Sequence, residues 1–114
     1  MTYIMGAVIA VPTANKDAYL EQAKIAAEVF RDLGALSVVE GWGDSVPKGE
    51  VTDFYRAVQA KDDETVVFSW VTWPSKDAFE AAMPKMEADE RMTGAMPFDG
   101  KRMIFGGFEM VFHA

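Results

Sequence analysis

The segment TVVFSWVTW, Thr65 to Trp73, is β-branched and aromatic from end to end, which favours an extended strand. Alternation places Val66, Phe68 and Trp70 on one face and Val67, Val71 and Trp73 on the other. Thr2 to Val11 repeats the pattern, with apolar residues on both sides until Pro12 closes it. A strand that is apolar on both faces has to be covered on both faces. The chain has 114 residues, 50% of them apolar, which predicts a single domain over residues 1–114 with a core of its own. It supplies only two long amphipathic helices, and these can cover only one side of a sheet.

The first helix is expected from Lys16, with Asn15 as its N-cap. Tyr19, Ala23, Ala27 and Phe30 recur at three- and four-residue spacing, flanked by Leu20 and Leu33. Gly34 follows where a left-handed cap is wanted. A second strand is expected over 36–42, then turn chemistry in GDSVPKGE (43–50). Residues 52–60 read as a short helix capped by Thr52, with a strand of the same hairpin as the alternative. KDDE (61–64) is a hairpin tip. After the strand at 65–73, Ser75 caps a second amphipathic helix whose buried stripe is Phe79, Ala82, Met83 and Met86. Pro84 predicts a kink or break in it, because proline lacks the N–H and crowds the carbonyl of Glu80. Residues 93–100 are loop and 101–112 the last strand. The order βαββαβ is the ferredoxin-like α+β arrangement, four antiparallel strands with two helices on one face. The second face is then expected to meet a second copy of the chain, sheet against sheet about a two-fold axis, as a dimeric α/β barrel.

Composition removes several function classes. The 18 acidic residues outnumber the 11 basic ones, for a net charge of −7, and only Lys101 and Arg102 are adjacent cations. Phosphate backbones and anionic membranes select the opposite balance. There is no cysteine, which removes thiolate chemistry and suits a reducing compartment. The first eleven residues lack the basic start of a secretory signal and are too short to span a bilayer. A cytoplasmic protein is expected.

The stretch MPFDGKRMIFGGFEM (96–110) resembles a phosphate-binding loop only superficially. Five residues separate Gly94 from Gly100 where that motif has four, Arg102 stands where it has Ser or Thr, and a strand follows instead of a helix. Gly106 and Gly107 within a strand predict a bulge, or a close approach that opens a cavity beside Trp70 and Phe105. Glu40, Trp42 and Asp44 alternate onto one face of the second strand, where a carboxylate could act as a base. Arg91 and Arg102 are candidates for an anionic group, or for pairing with Asp89 and Asp99. The single histidine, His113, leaves neither metal-ligand spacing nor a serine–histidine pair, so no metal or cofactor is expected. The methionines are core filler. Three functions remain. The first is a homodimer binding a small apolar or aromatic molecule between sheet and helices, lined by Trp42, Trp70, Arg102 and Phe105. The second is a cofactor-free enzyme acting on an aromatic substrate, with Glu40 or Asp44 as base. The third is an interaction or scaffold protein without a ligand.

The segments VPTANKDAYL, EGWGDSVPKGEVTDF, DETVVFSWVTWPSK and MPFDGKRMIFGGFE resemble a YbaA-like bacterial family of unknown function, across nearly the whole chain. The resemblance implies a dimeric α/β barrel of ferredoxin-like fold and carries no established activity. Where the family pattern has an aspartate in the first strand this chain has Met5, and Gly41 replaces a cysteine. The wider superfamily includes cofactor-free monooxygenases that use Asn, Trp and Arg, and haem-degrading proteins that use His. Here the one Asn opens a helix and the one His ends the chain, so neither set transfers, and fold alone grants no function.

Overall fold

Strand pairing decides which side of every strand meets the helices. The computed structural model describes residues 2–114. Strand β1 (Tyr3–Pro12) runs antiparallel to β3 (Glu64–Trp73), with Tyr3 opposite Trp73 and Val11 opposite Thr65. Strand β2 (Ser37–Trp42) flanks β3, and β4 (Ile104–Glu109) flanks β1, so the order is β2-β3-β1-β4, antiparallel throughout. Helix α1 (Lys16–Asp32) follows β1, α2 (Phe54–Ala57) lies between β2 and β3, and α3 (Lys76–Ala88) follows β3. This is the expected ferredoxin-like α+β fold.

Both long helices lie on the face that carries Val67, Val71 and Trp73. Tyr19 of α1 packs with Ile9, Val11 and Val67, while Phe30 of α1 and Ala82 of α3 pack with Val71 and Trp73. Trp73 is fully buried, edge-on to Phe30 at 5.9 Å and to Phe79 at 6.2 Å. Its indole N–H has no hydrogen-bond partner among the described residues. Such an orphan costs about 1–3 kcal/mol, which the burial of a ring this large offsets.

The opposite face carries Ile4, Gly6, Val8 and Ala10 of β1, with Val66, Phe68 and Trp70 of β3 beside them and Ile104, Gly106 and Phe108 of β4 beyond. Among the described residues only one end of it is covered. The excursion between β2 and β3 folds back so that Val58, 1% exposed, seals Ala10 and Val66 with help from Tyr55. The remainder is open.

Several local expectations are corrected. Asn15 makes no cap; its Nδ2 donates to the Pro97 carbonyl at 3.0 Å and ties the 93–100 loop to the start of α1. Asp53, not Thr52, caps α2: its Oδ1 accepts from Arg56 N at 2.8 Å and its Oδ2 from Gly49 N at 3.1 Å. Helix α3 continues through Pro84 to Ala88 without a break. Pro84 is exposed, and the packed residues Ala82 and Met86 on either side hold the helix together across the missing bond. Gly106 and Gly107 form no bulge; they pair in register with Gly6 and Met5. The close approach is internal, because a β-carbon on Gly107 would come within 2.7 Å of Tyr3 Cε2. Strand β4 is also shorter than expected, since Arg102 N closes a turn on Asp99 O. Gly34 (φ 108°) and Ser75, whose Oγ accepts from Ala78 N at 3.1 Å, act as expected. No helix of the described residues is long and apolar enough to cross a membrane.

The caps of α2 give a first test. Asp53→Ala should lower unfolding stability by about 1–2 kcal/mol, while Thr52→Ala should stay within about 0.5 kcal/mol of the parent. Urea unfolding of the two variants compares them, and equal losses would contradict the cap assignment.

Candidate functional site

The open part of the sheet forms a groove of about 570 Å³. Its floor is the Gly6–Gly106 pair, where two strands without side chains lie side by side. Ile4, Phe68, Trp70, Ile104 and Phe108 make the walls. The Phe108 ring leans over both glycines, 3.7 Å from where a β-carbon of Gly6 would stand and 3.6 Å from that of Gly106. Phe68 meets Trp70 edge-on at 5.6 Å and lies tilted against Phe54 at 6.0 Å. Phe68, Phe108 and Ile104 are 47%, 59% and 46% exposed. The lining residues carry no charge and no titratable side chain. Such a surface can exclude water from an apolar partner, and it can stack on a flat ring. It cannot by itself move a proton.

Of the residues singled out in the sequence, Trp70 and Phe105 both border this groove. Phe105 pairs with Ala7 on the outer strand, so alternation turns its side chain to the other face and it borders the groove only along the strand itself. Trp42 and Arg102 lie elsewhere. The groove is on the face away from α1 and α3, not between sheet and helices, because the helix side is filled by Tyr19, Phe30, Trp73 and their neighbours.

Trp42 and Glu40 sit on the helix side of β2, where Glu40 is opposite Ser69 and Trp42 opposite Val67. Glu40 Oε1 accepts from the Tyr19 hydroxyl at 2.6 Å, and Oε2 accepts from Ser69 Oγ at 3.1 Å. Both donors are buried, whereas Glu40 is exposed. Burial pushes the Tyr19 hydroxyl pKa far up, aided by its bond to Glu40 and by that group's charge, so the phenol keeps its proton. The Trp42 ring lies 6.4 Å from that of Tyr19, and Lys16 Nζ stands 5.4 Å from its centre. Asp44 does not join Glu40: β2 ends at Trp42, so the alternation that would align them stops, and Asp44 is exposed in the following turn.

Arg102 is fully engaged. It grips Glu64 with two parallel bonds of 2.6 and 2.7 Å, and also donates to Asp99 Oδ2 at 3.0 Å and the Gln59 carbonyl at 2.8 Å. The guanidinium holds the Glu64 carboxyl at a pKa of about 2, although the side chain is only 3% exposed. Arg91 is likewise taken up by Asp89 at 2.8 Å and Asp32 at 2.9 Å. Both arginines therefore stitch loops together. Tyr19, Ser69, Phe68 and Phe108 were not among the site residues the sequence pointed to. Alternation in β3 already set Phe68 on one face with Trp70, but the partners of Glu40 depend on register across two strands.

The family model "Protein of unknown function (DUF1428)" matches residues 2–100. The chain is 54% identical to "Uncharacterized protein YbaA" of Escherichia coli strain K12, over 97% of each chain. The same identity and coverage hold for the protein of that description in Shigella flexneri.

The Arg102 hub yields an acid-stability prediction. The folded pKa of Glu64 is depressed from 4.5 to about 2, so its contribution is complete above pH 4.5 and fades as pH falls toward about 2. Arg102→Met should lower stability at neutral pH by leaving the Glu64 carboxylate without its bidentate partner. Its deficit against the parent should shrink as the medium is acidified, and Arg102→Met with Glu64→Gln should recover most of the loss. Urea midpoints measured from pH 7 to pH 3 test this; a deficit constant with pH would contradict it.

Proposed function

The chain belongs to the DUF1428 family of proteins of unknown function, and from its geometry we propose that it works as a cytoplasmic homodimer, closed sheet against sheet, that holds a small apolar or aromatic molecule in the groove. The uncharged aromatic groove on an uncovered sheet face carries this reading. A monomer of 12.6 kDa ordinarily exposes about 6,200 Å²; this chain exposes 7,457 Å². The excess exceeds the roughly 800 Å² that each partner buries in a standard interface. The chain is also a slab, 37 × 35 × 21 Å, the shape of two layers awaiting a third.

Charge supports the same arrangement. A net charge of −7 opposes self-association in general, but none of it falls on the groove lining. Two copies facing each other across this surface keep their carboxylates apart. The Gly6–Gly106 floor leaves room between the sheets that larger residues would fill. A flat ring in that space would meet Trp70, Phe68 and Phe108 without any polar group to satisfy. The absence of a titratable group from the groove favours binding over catalysis there.

The test is light scattering and native mass spectrometry at micromolar concentration. The parent should show twice the 12.6 kDa chain mass, with a reproducible small-molecule addition in freshly purified material. Phe108→Glu should yield folded monomers that lose the addition. A monomeric parent would refute the dimer. A dimer without any addition, and with no uptake of aromatic compounds, would leave the scaffold reading.

A further inference from the structure

The helix side of β2 carries a second constellation, separate from the groove and on the other face of the sheet. We propose that Glu40 and Trp42 together form a binding site for the ammonium group of an amine ligand, whose indole side is covered in the free chain by Lys16.

The Glu40 carboxylate is fixed in place before any ligand arrives. The Tyr19 hydroxyl anchors one oxygen at 2.6 Å and the Ser69 hydroxyl the other at 3.1 Å, and both anchors are buried. Each carboxylate oxygen has two lone pairs, so two acceptor positions remain on an exposed residue. Because the anchors hold the side chain, binding at it forfeits little rotamer entropy. Two residues along the same face stands Trp42, half-buried against Tyr19. An indole face beside a fixed carboxylate joins the two features that attract an organic cation: the quadrupole of the ring and an opposite charge.

An ammonium already stands at the indole. Lys16 Nζ lies 5.4 Å from the centre of the Trp42 ring. Among the described residues, Lys16 forms no ion pair. Lys16 is also the first residue of α1, where the positive end of the helix dipole disfavours a cation. Its tether is therefore poor while its destination is good, and an external ammonium can take its place. The site lies on the helix side, so closing two copies through the opposite face leaves it open to solvent.

The test follows the Trp42 indole N–H in nitrogen–proton spectra of the full chain, assigned with Trp42→Phe. The probe is butylammonium, and butanol is the neutral control. The Trp42 signal should shift saturably with butylammonium in the millimolar range and not with butanol. Lys16→Met should tighten binding by about fivefold by removing the competitor, and Glu40→Gln should weaken it by about fivefold. Lys16→Met alters only an exposed side chain, so it remains informative if Glu40→Gln disturbs the fold. No saturable shift, an equal response to butanol, or unchanged affinity in Lys16→Met would overturn the proposal.

Discussion

The ladder between β1 and β3 is the constraint on which the rest depends. It pairs Tyr3 through Pro12 with Trp73 through Glu64 without interruption. Both strands are apolar on both sides, so hydrophobicity alone does not choose which side meets the helices; pairing and packing choose together. A one-residue slip would exchange the faces of a strand. It would set Phe68 and Trp70 against α1 and α3, and turn Val67, Val71 and Trp73 outward. In the observed register the closely packed set lies beneath the helices, and the bulky aromatic set lies on the open side.

From that choice two unlike surfaces follow. On the open side, pairing brings Gly6 beside Gly106 and surrounds them with rings and aliphatic chains. That surface offers area and shape but no charge. On the helix side, pairing brings Glu40 beside Ser69, within reach of Tyr19 from α1. That surface offers a fixed charge at the edge of the core. One sheet thus carries an apolar site and a polar site on opposite faces, and altering one need not disturb the other.

The Arg102 hub sets where the open face ends. It joins Glu64 at the start of β3, Asp99 before β4 and the Gln59 carbonyl after α2. Gln59 has φ 50°, a left-handed conformation that non-glycine residues seldom adopt. Held in that way, the excursion from β2 to β3 lays Val58 over Ala10 and Val66 and no further. Arg102, noticed in the sequence either as a ligand contact or as a partner for a local carboxylate such as Asp99, makes the Asp99 pair and clamps the backbone beside the groove. Its further partner Glu64 is distant in sequence and gave no local signal.

Local pattern was enough to establish the elements and their order. The stripe from Tyr19 to Phe30, the punctuation at Pro12, Gly34 and Ser75, and the two-sided apolar character of β1 and β3 all act within a few residues, where backbone geometry fixes the spacing. Those signals also implied that one sheet face would lack a cover. Tertiary structure alone decided the rest. It moved Asn15 from cap to loop tether, gave the α2 cap to Asp53, filled the space above Gly107 with the Tyr3 ring, and set Trp42 and Trp70 on opposite faces. The reason is physical: which side chains meet across a sheet depends on register and on the return paths of loops. Hydrogen bonds such as Tyr19 to Glu40 join residues whose separation in sequence carries no periodic signal.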